Sequence, residues 1–232
     1  MAIALANSYN VNSVNNTLPY TLTTPSFTPA TNELIVVKGC GENQGVFIGT
    51  PSATGGGISW TNRVQSTVSN NCYSVIWTGV VTSGGSSITV STTTTNGGSV
   101  SGYSSMTVER WTGAQIAASP ATSSLFDGAS TTSTITTTGT NSVVTFLDGD
   151  WNAVSSSGET YSSGATQDGL HDVSPSAYVA YYAYQTAAVA GSQTFGLTAP
   201  AGRKDTILGL EIQDSSGGQP VSHLLTLTGI GM

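Results

Sequence analysis

Helical periodicity is nearly absent from this chain. In its place, short runs of Val, Ile, Thr and aromatic residues recur between clusters of Gly, Ser, Asn and Pro. Such runs read as strands bounded by turns, because branched and aromatic side chains suit a pleated surface. The pattern predicts strands near residues 19–24, 34–40, 46–48, 58–65, 73–81, 87–93, 104–111, 133–138, 142–147, 177–185, 193–198, 206–213 and 223–227. Alternation assigns their faces. Tyr178, Ala180, Tyr182 and Tyr184 share one side of their run. Leu208, Leu210 and Ile212 share an apolar side, opposite Ile207, Gly209 and Glu211. That is the half-buried pattern of an antiparallel sheet.

The order of these runs occurs twice. ELIVVKGCGE is followed by a loop, then CYSVIWTGVVTSGGSSITVSTT, then SSMTVERWTGA. NSVVTFLDGDW is likewise followed by a loop, then AYVAYYAYQTAAVAGSQTFGLTAP, then KDTILGLEIQD. A threonine-rich strand precedes each copy, in LPYTLTTP and STITTTG. Two copies are too few for a solenoid or propeller. The expected fold is therefore all-β: an antiparallel two-sheet β-sandwich, jelly-roll-like, made from two pseudo-repeats at about residues 9–113 and 130–214. The copies are expected to interlock as one domain over residues 1–214, because a copy of about 100 residues is read as short of the strands that close its own core. The linker is placed at 113–129, and residues 215–232 are read as an extra strand or docking tail.

Charge narrows the function. Only 7% of residues are charged, against about 25% in ordinary domains. The net charge is −7, and the basic residues are Lys38, Arg63, Arg110, Arg203 and Lys204. No basic stripe exists to drive binding to nucleic acid or to an anionic membrane surface. No stretch has the length of a transmembrane helix, and the opening MAIALANSYN lacks the basic region of a signal peptide. Synthesis in the cytosol is expected, although the Ser, Thr and Gly content suits an extracellular surface. A virus structural protein, assembled in the cytosol and released by lysis, satisfies both.

The matching pieces LIVVKGCG, ISWTNRV, YSVIWTGVV with SSITVSTT, SMTVERWTGA, VVTFLDGDW and ILGLEIQ carry a resemblance. Over about residues 9–213 the chain resembles a two-copy β-sandwich domain of minor tail and virion accessory proteins of phages infecting actinobacteria. Similar domains occur within secreted bacterial surface proteins. The resemblance implies a non-enzymatic virion component, tail-associated, that forms a homo-oligomer or docks on other virion proteins. A capsid decoration protein and an adhesin for host-surface glycans stand as alternatives. A glycan-degrading enzyme ranks last.

Specific residues can be set against these readings. Asp148 and Asp150 follow a predicted strand, with Asp168 and Asp172 in the loop beyond, and such oxygens could hold Ca²⁺. Their spacing is not that of an EF-hand, and a solvated acidic loop is the simpler explanation. The same acids raise the question of a glycosidase pair, which needs a defined separation that acids on one loop do not establish. No G-x-S-x-G occurs, so no catalytic residues are assigned. Trp151, Tyr161 and Tyr181 are the candidates for stacking on a sugar, whereas Trp60, Trp77 and Trp111 read as core. Cys40 and Cys72 lie in separate predicted strands that could be neighbours. A cross-strand disulfide and two buried thiols both remain open. No cofactor other than a possible Ca²⁺ is expected.

Overall fold

The structure, a computed structural model, describes residues 2–42, 46–68, 72–96, 101–117, 120–128, 132–152, 155–174 and 178–215. The expected strand at 223–227 and nearly all of the 215–232 tail lie outside the described residues. The first half supplies β1 (Ala4–Thr17), β2 (Tyr20–Thr23), β3 (Leu34–Glu42), β4 (Val46–Ile48), β5 (Ser52–Ala53), β6 (Thr61–Val68), β7 (Cys72–Val80), β8 (Val90–Asn96) and β9 (Ser101–Thr112). After the short β10 (Ala114–Gln115), the second half supplies β11 (Thr122–Gly128), β12 (Thr132–Thr137), β13 (Ser142–Asp150), β14 (Thr160–Tyr161), β15 (Thr166–Asp172), β16 (Val179–Ala187), β17 (Gly191–Ala199) and β18 (Asp205–Asp214). Among the described residues there is no α-helix, and none long and apolar enough to cross a membrane.

The fold is all-β and antiparallel, as the alternation predicts. In the first half, β1-β9-β3-β7-β6 form a large sheet, and β2-β8-β4 a small one with β5 also on β8. The second half repeats this order. Its large sheet runs β11, β18, β13, β16, β15, with β10 joined to the end of β18, and its small sheet runs β12-β17-β14. In each half the first strand pairs with the last and the second with the last but one, a jelly-roll-like winding.

The two copies do not interlock in one sandwich. Strand pairing stays within each half, so each copy closes its own two-sheet sandwich. The expectation failed because, besides the two-residue strands β5, β10 and β14, three long strands were not recognised: β1, β11 and β15. All three are outer strands of the large sheets, and β10 and β11 lie inside the supposed 113–129 linker. With them, each half has enough strands to enclose a core.

The two sandwiches pack large sheet against large sheet. β1 lies against β15, β6 against β11, and β3 meets β13 between them. Since β1 corresponds to β11 and β6 to β15, the arrangement has an approximate two-fold symmetry. Four layers result: small, large, large, small. The interlayer core draws on both halves, with Leu34, Val36, Ile76 and Trp111 facing Leu147, Tyr182, Leu208 and Leu210. Ile35, Val37, Val90 and Val108 fill the first sandwich, and Val144, Phe146, Phe195 and Ile207 the second.

This layering explains the apolar runs LIVV and VVTFL. Each large sheet is covered on both faces, so its inner strands are apolar at nearly every position. It also corrects the half-buried reading of β18: Ile207 and Glu211, opposite the Leu208 face, are equally buried. Between them, Gly209 lies under Phe195. A Cβ at Gly209 would stand 2.3 Å from the ring, and Phe195 is itself held against Phe146 at 5.4 Å. Gly209→Ala is therefore expected to lower stability by about 1–3 kcal/mol through overpacking, read from a denaturant midpoint. An unchanged midpoint would mean that the ring has room to move.

Candidate functional site

The concentrated ionisable chemistry of the described residues lies in two buried clusters. The first is at the centre of the interlayer core. Lys38 on β3, Glu109 on β9 and Thr145 on β13 all take the interlayer-facing phase of their strands, and Asp168 enters from β15. Lys38 Nζ donates to Glu109 Oε1 at 2.6 Å, to the Asp168 oxygens at 3.0 and 3.2 Å, and to the Ala183 carbonyl at 3.2 Å. Thr145 Oγ1 and Trp111 Nε1 donate to Glu109 at 2.8 and 2.9 Å. The side chains of Lys38, Glu109 and Asp168 are 0%, 0% and 2% exposed, which removes water as a competing partner.

One cation here faces two acids. Burial alone would lower the Lys38 pKa, but Asp168 and Glu109 outweigh it and hold the ammonium above its ordinary value. Burial, reinforced by the charge of Glu109 and only partly opposed by Lys38, pushes Asp168 well above the usual carboxylate range. Against its own burial, Glu109 is held below that range by Lys38 and its hydrogen bonds. The neutral arrangement is thus an ammonium, the Glu109 carboxylate and a protonated Asp168, as expected where unpaired charge is costly.

The second cluster lies inside the second sandwich. Asp148 and Asp150 project from the same face of β13, and Asp205 stands opposite Asp150 on β18. Arg203 meets Asp148 at 3.5 Å and Asp205 at 3.3 Å, donates to the Leu197 carbonyl, and lies 5.5 Å from the Tyr181 ring centre. Asp150 accepts from the backbone N–H groups of Asn152 and Lys204 at 2.8 and 3.1 Å. The hydroxyls of Tyr161 and Tyr181 are buried beside this cluster without a hydrogen-bond partner among the described residues. Burial first, then Asp150, drives Asp148 up to about 7 despite Arg203. Burial and the neighbouring Asp148 drive Asp205 up to about 9.

No family model, curated protein or solved structure matches this chain. Function must therefore be read from the placement of its residues. The four acids proposed for Ca²⁺ occupy three separate places: Asp148 and Asp150 inside the second sandwich, Asp168 between the sandwiches, and Asp172 on the surface. Asp172 there accepts from the Ser156 and Ser174 backbones at 3.1 and 2.8 Å. Among the described residues no group of three or more His, Cys, Asp or Glu is set to hold a metal ion. The Ca²⁺ expectation fails because Asp168 belongs to a strand, β15, that turns its side chain inward.

The sugar-stacking residues are likewise not assembled into a platform. Tyr181 is fully buried, Tyr161 is half-buried with its ring 6.3 Å from Phe146, and Trp151 packs against the interlayer core. Burial of Tyr181 follows from the cover that β17 gives to the inner face of β16. Three grooves formed by described residues offer little more. One beside Thr78 and Val80 carries Arg63, one beside Thr112 and Ser215 carries Glu33, and one beside Ile3 and Asn141 carries Asp214. Each has a single ionisable side chain, so none pairs a nucleophile with a base.

Cys40 and Cys72 are neighbours on β3 and β7, as expected, and their Sγ atoms lie 3.6 Å apart as thiols. Gly149 of the opposing sheet covers them, since a Cβ there would stand 2.7 Å from Cys40 Sγ. A thiol reagent is expected to find no reactive cysteine in the native protein and both after unfolding without reductant. Silence after unfolding would identify a disulfide. Sequence reasoning missed Glu109 and the pairing of Lys38. The signal was there: each is a charge within a run of strand-forming residues, Lys38 alone in LIVVKGCG and Glu109 beside Arg110 in SMTVERW.

Proposed function

We propose that this chain is a non-catalytic structural protein of a bacteriophage particle, associated with the tail. The observation that carries this reading is the contrast between interior and surface. Many charges are turned inward, those of Lys38, Glu109 and Asp168 joining the two sandwiches, while the outer faces of the small sheets present rows of hydroxyls. Thr21 and Thr23 pair with Thr93 and Ser91 at 3.3 and 2.9 Å on one side. Thr134 and Thr136 stand opposite Thr194 and Ser192 on the other. Interface cores between proteins are depleted of charge, because every ion buried on assembly must be desolvated. Faces made of Thr and Ser can be covered by a neighbouring subunit without that cost. The resemblance of both repeats to phage tail and accessory domains points the same way.

The test is quantitative mass spectrometry of purified particles from the source. A few copies per particle are expected for a tail-associated component. Hundreds of copies would favour capsid decoration or a tube lattice. Absence from any particle would overturn the reading.

A further inference from the structure

The triad between the sandwiches is placed for a covalent reaction as well as for an ion pair. Lys38 Nζ lies 3.0 and 3.2 Å from the two carboxyl oxygens of Asp168 and 2.6 Å from Glu109 Oε1, in a site closed to solvent. We propose that Lys38 and Asp168 condense to an intramolecular amide, with Glu109 as the catalytic proton carrier, so that the two sandwiches become covalently joined.

Three features of the site favour the reaction. The first is proximity: amine and carboxyl are fixed near attack distance by β3 and β15, which removes the entropic cost of bringing them together. The second is dryness. In water, an ammonium and a carboxylate are stabilised by hydration and condense unfavourably. In a buried site that stabilisation is gone, and a neutral amide replaces charges that are costly to keep. The third is the protonation pattern. Asp168 is held as the neutral acid, the electrophilic form, while Glu109 is held as the base. Thr145 and Trp111 fix Glu109, and the Ala183 carbonyl orients the Lys38 nitrogen.

The step balances without an outside reagent. The Lys38 ammonium passes one proton to the Glu109 carboxylate. The nitrogen lone pair then attacks Cγ of the Asp168 carboxylic acid and forms the C–N bond. Glu109 returns its proton to the departing hydroxyl and takes a second proton from nitrogen. The C–O bond breaks and water leaves. An ammonium, a carboxylic acid and a carboxylate thus become an amide, a water and the Glu109 carboxylic acid.

The experiment is intact-mass measurement of the purified, folded, full-length chain. The expected mass is about 18 Da below that of the sequence, the loss of one water, with a branched Lys38–Asp168 peptide after proteolysis. Glu109→Gln, checked for folding by circular dichroism, is expected to show the full uncondensed mass. Asp168→Asn is expected to reach the same product mass as the wild type by releasing ammonia. A folded wild-type chain at the uncondensed mass would overturn the proposal, whatever the variants do. A water loss that maps to any other pair of residues would do the same.

Discussion

Relative to a wild-type chain in which Lys38 and Asp168 are not joined, a Lys38→Met chain is expected to lose about 3–5 kcal/mol of unfolding free energy at neutral pH, the cost of leaving a buried charge without its partner. Methionine fills much the same volume, so the loss reports charge more than packing. Without the ammonium, Glu109 keeps the hydrogen bonds from Thr145 and Trp111 but faces Asp168 with no cation between them. Acidification to about pH 5 should narrow the difference from wild type, because the stranded carboxyl then takes up a proton. The triple variant Lys38→Met, Glu109→Gln, Asp168→Asn buries no ion and should recover most of the loss. Denaturant unfolding followed by tryptophan fluorescence reads all three chains. A single variant within about 1 kcal/mol of wild type would mean that the triad contributes little to holding the sandwiches together.

The second large effect is on pH. Asp148 and Asp205 are raised on folding, to about 7 and about 9, chiefly by burial. A raised acid holds in the native state a proton that the unfolded chain has already released. Its contribution to stability is complete below the ordinary carboxylate value and is lost as pH rises through the folded value. Stability should therefore fall by on the order of 4 kcal/mol between about pH 6.5 and 9. Below that window the trend is opposed. His171 is driven down to about 4 by burial, and Glu211, despite its own burial, is held low by hydrogen bonds from Gly139 and Ser142. Both gain stability as pH rises, and both have finished by about pH 6.5. Asp205→Asn copies the protonated acid in both the folded and the unfolded chain, so it should match wild type near pH 4 and exceed it by a margin that grows up to pH 9. An equal decline in both chains would place the pH dependence elsewhere.

The sequence made the inner strands of the large sheets legible and hid three of their four outer ones, β1, β11 and β15, for one physical reason. β3, β7, β13, β16 and β18 are covered on both faces or pair on both edges, so Val, Ile and aromatic residues crowd them. β1 reads ALANSYNVNSVNNT and β15 reads TQDGLHD. Each pairs on one edge only, and a polar strand is stable there because solvent is close. Missing those edges led to one interlocked sandwich in place of two. The acidic patch around Asp148 was visible as composition, but its partner Asp205 is distant in sequence and its cation, Arg203, sits in an unremarkable AGRKD turn. Lys38 could be counted as a charge. Its meeting with Asp168 depends on how the two halves stack, which no local pattern encodes.

That stacking has a consequence for how the chain is made. The first half leaves the ribosome with Leu34, Val36, Ile76 and Trp111 on a broad apolar face whose cover, from β13, β16 and β18, has not been synthesised. At ordinary translation rates that face waits on the order of ten seconds for the roughly 100 residues that shield it. During that interval two nascent chains on one message can meet through it, and the partner copied from the same template competes with the half still to come.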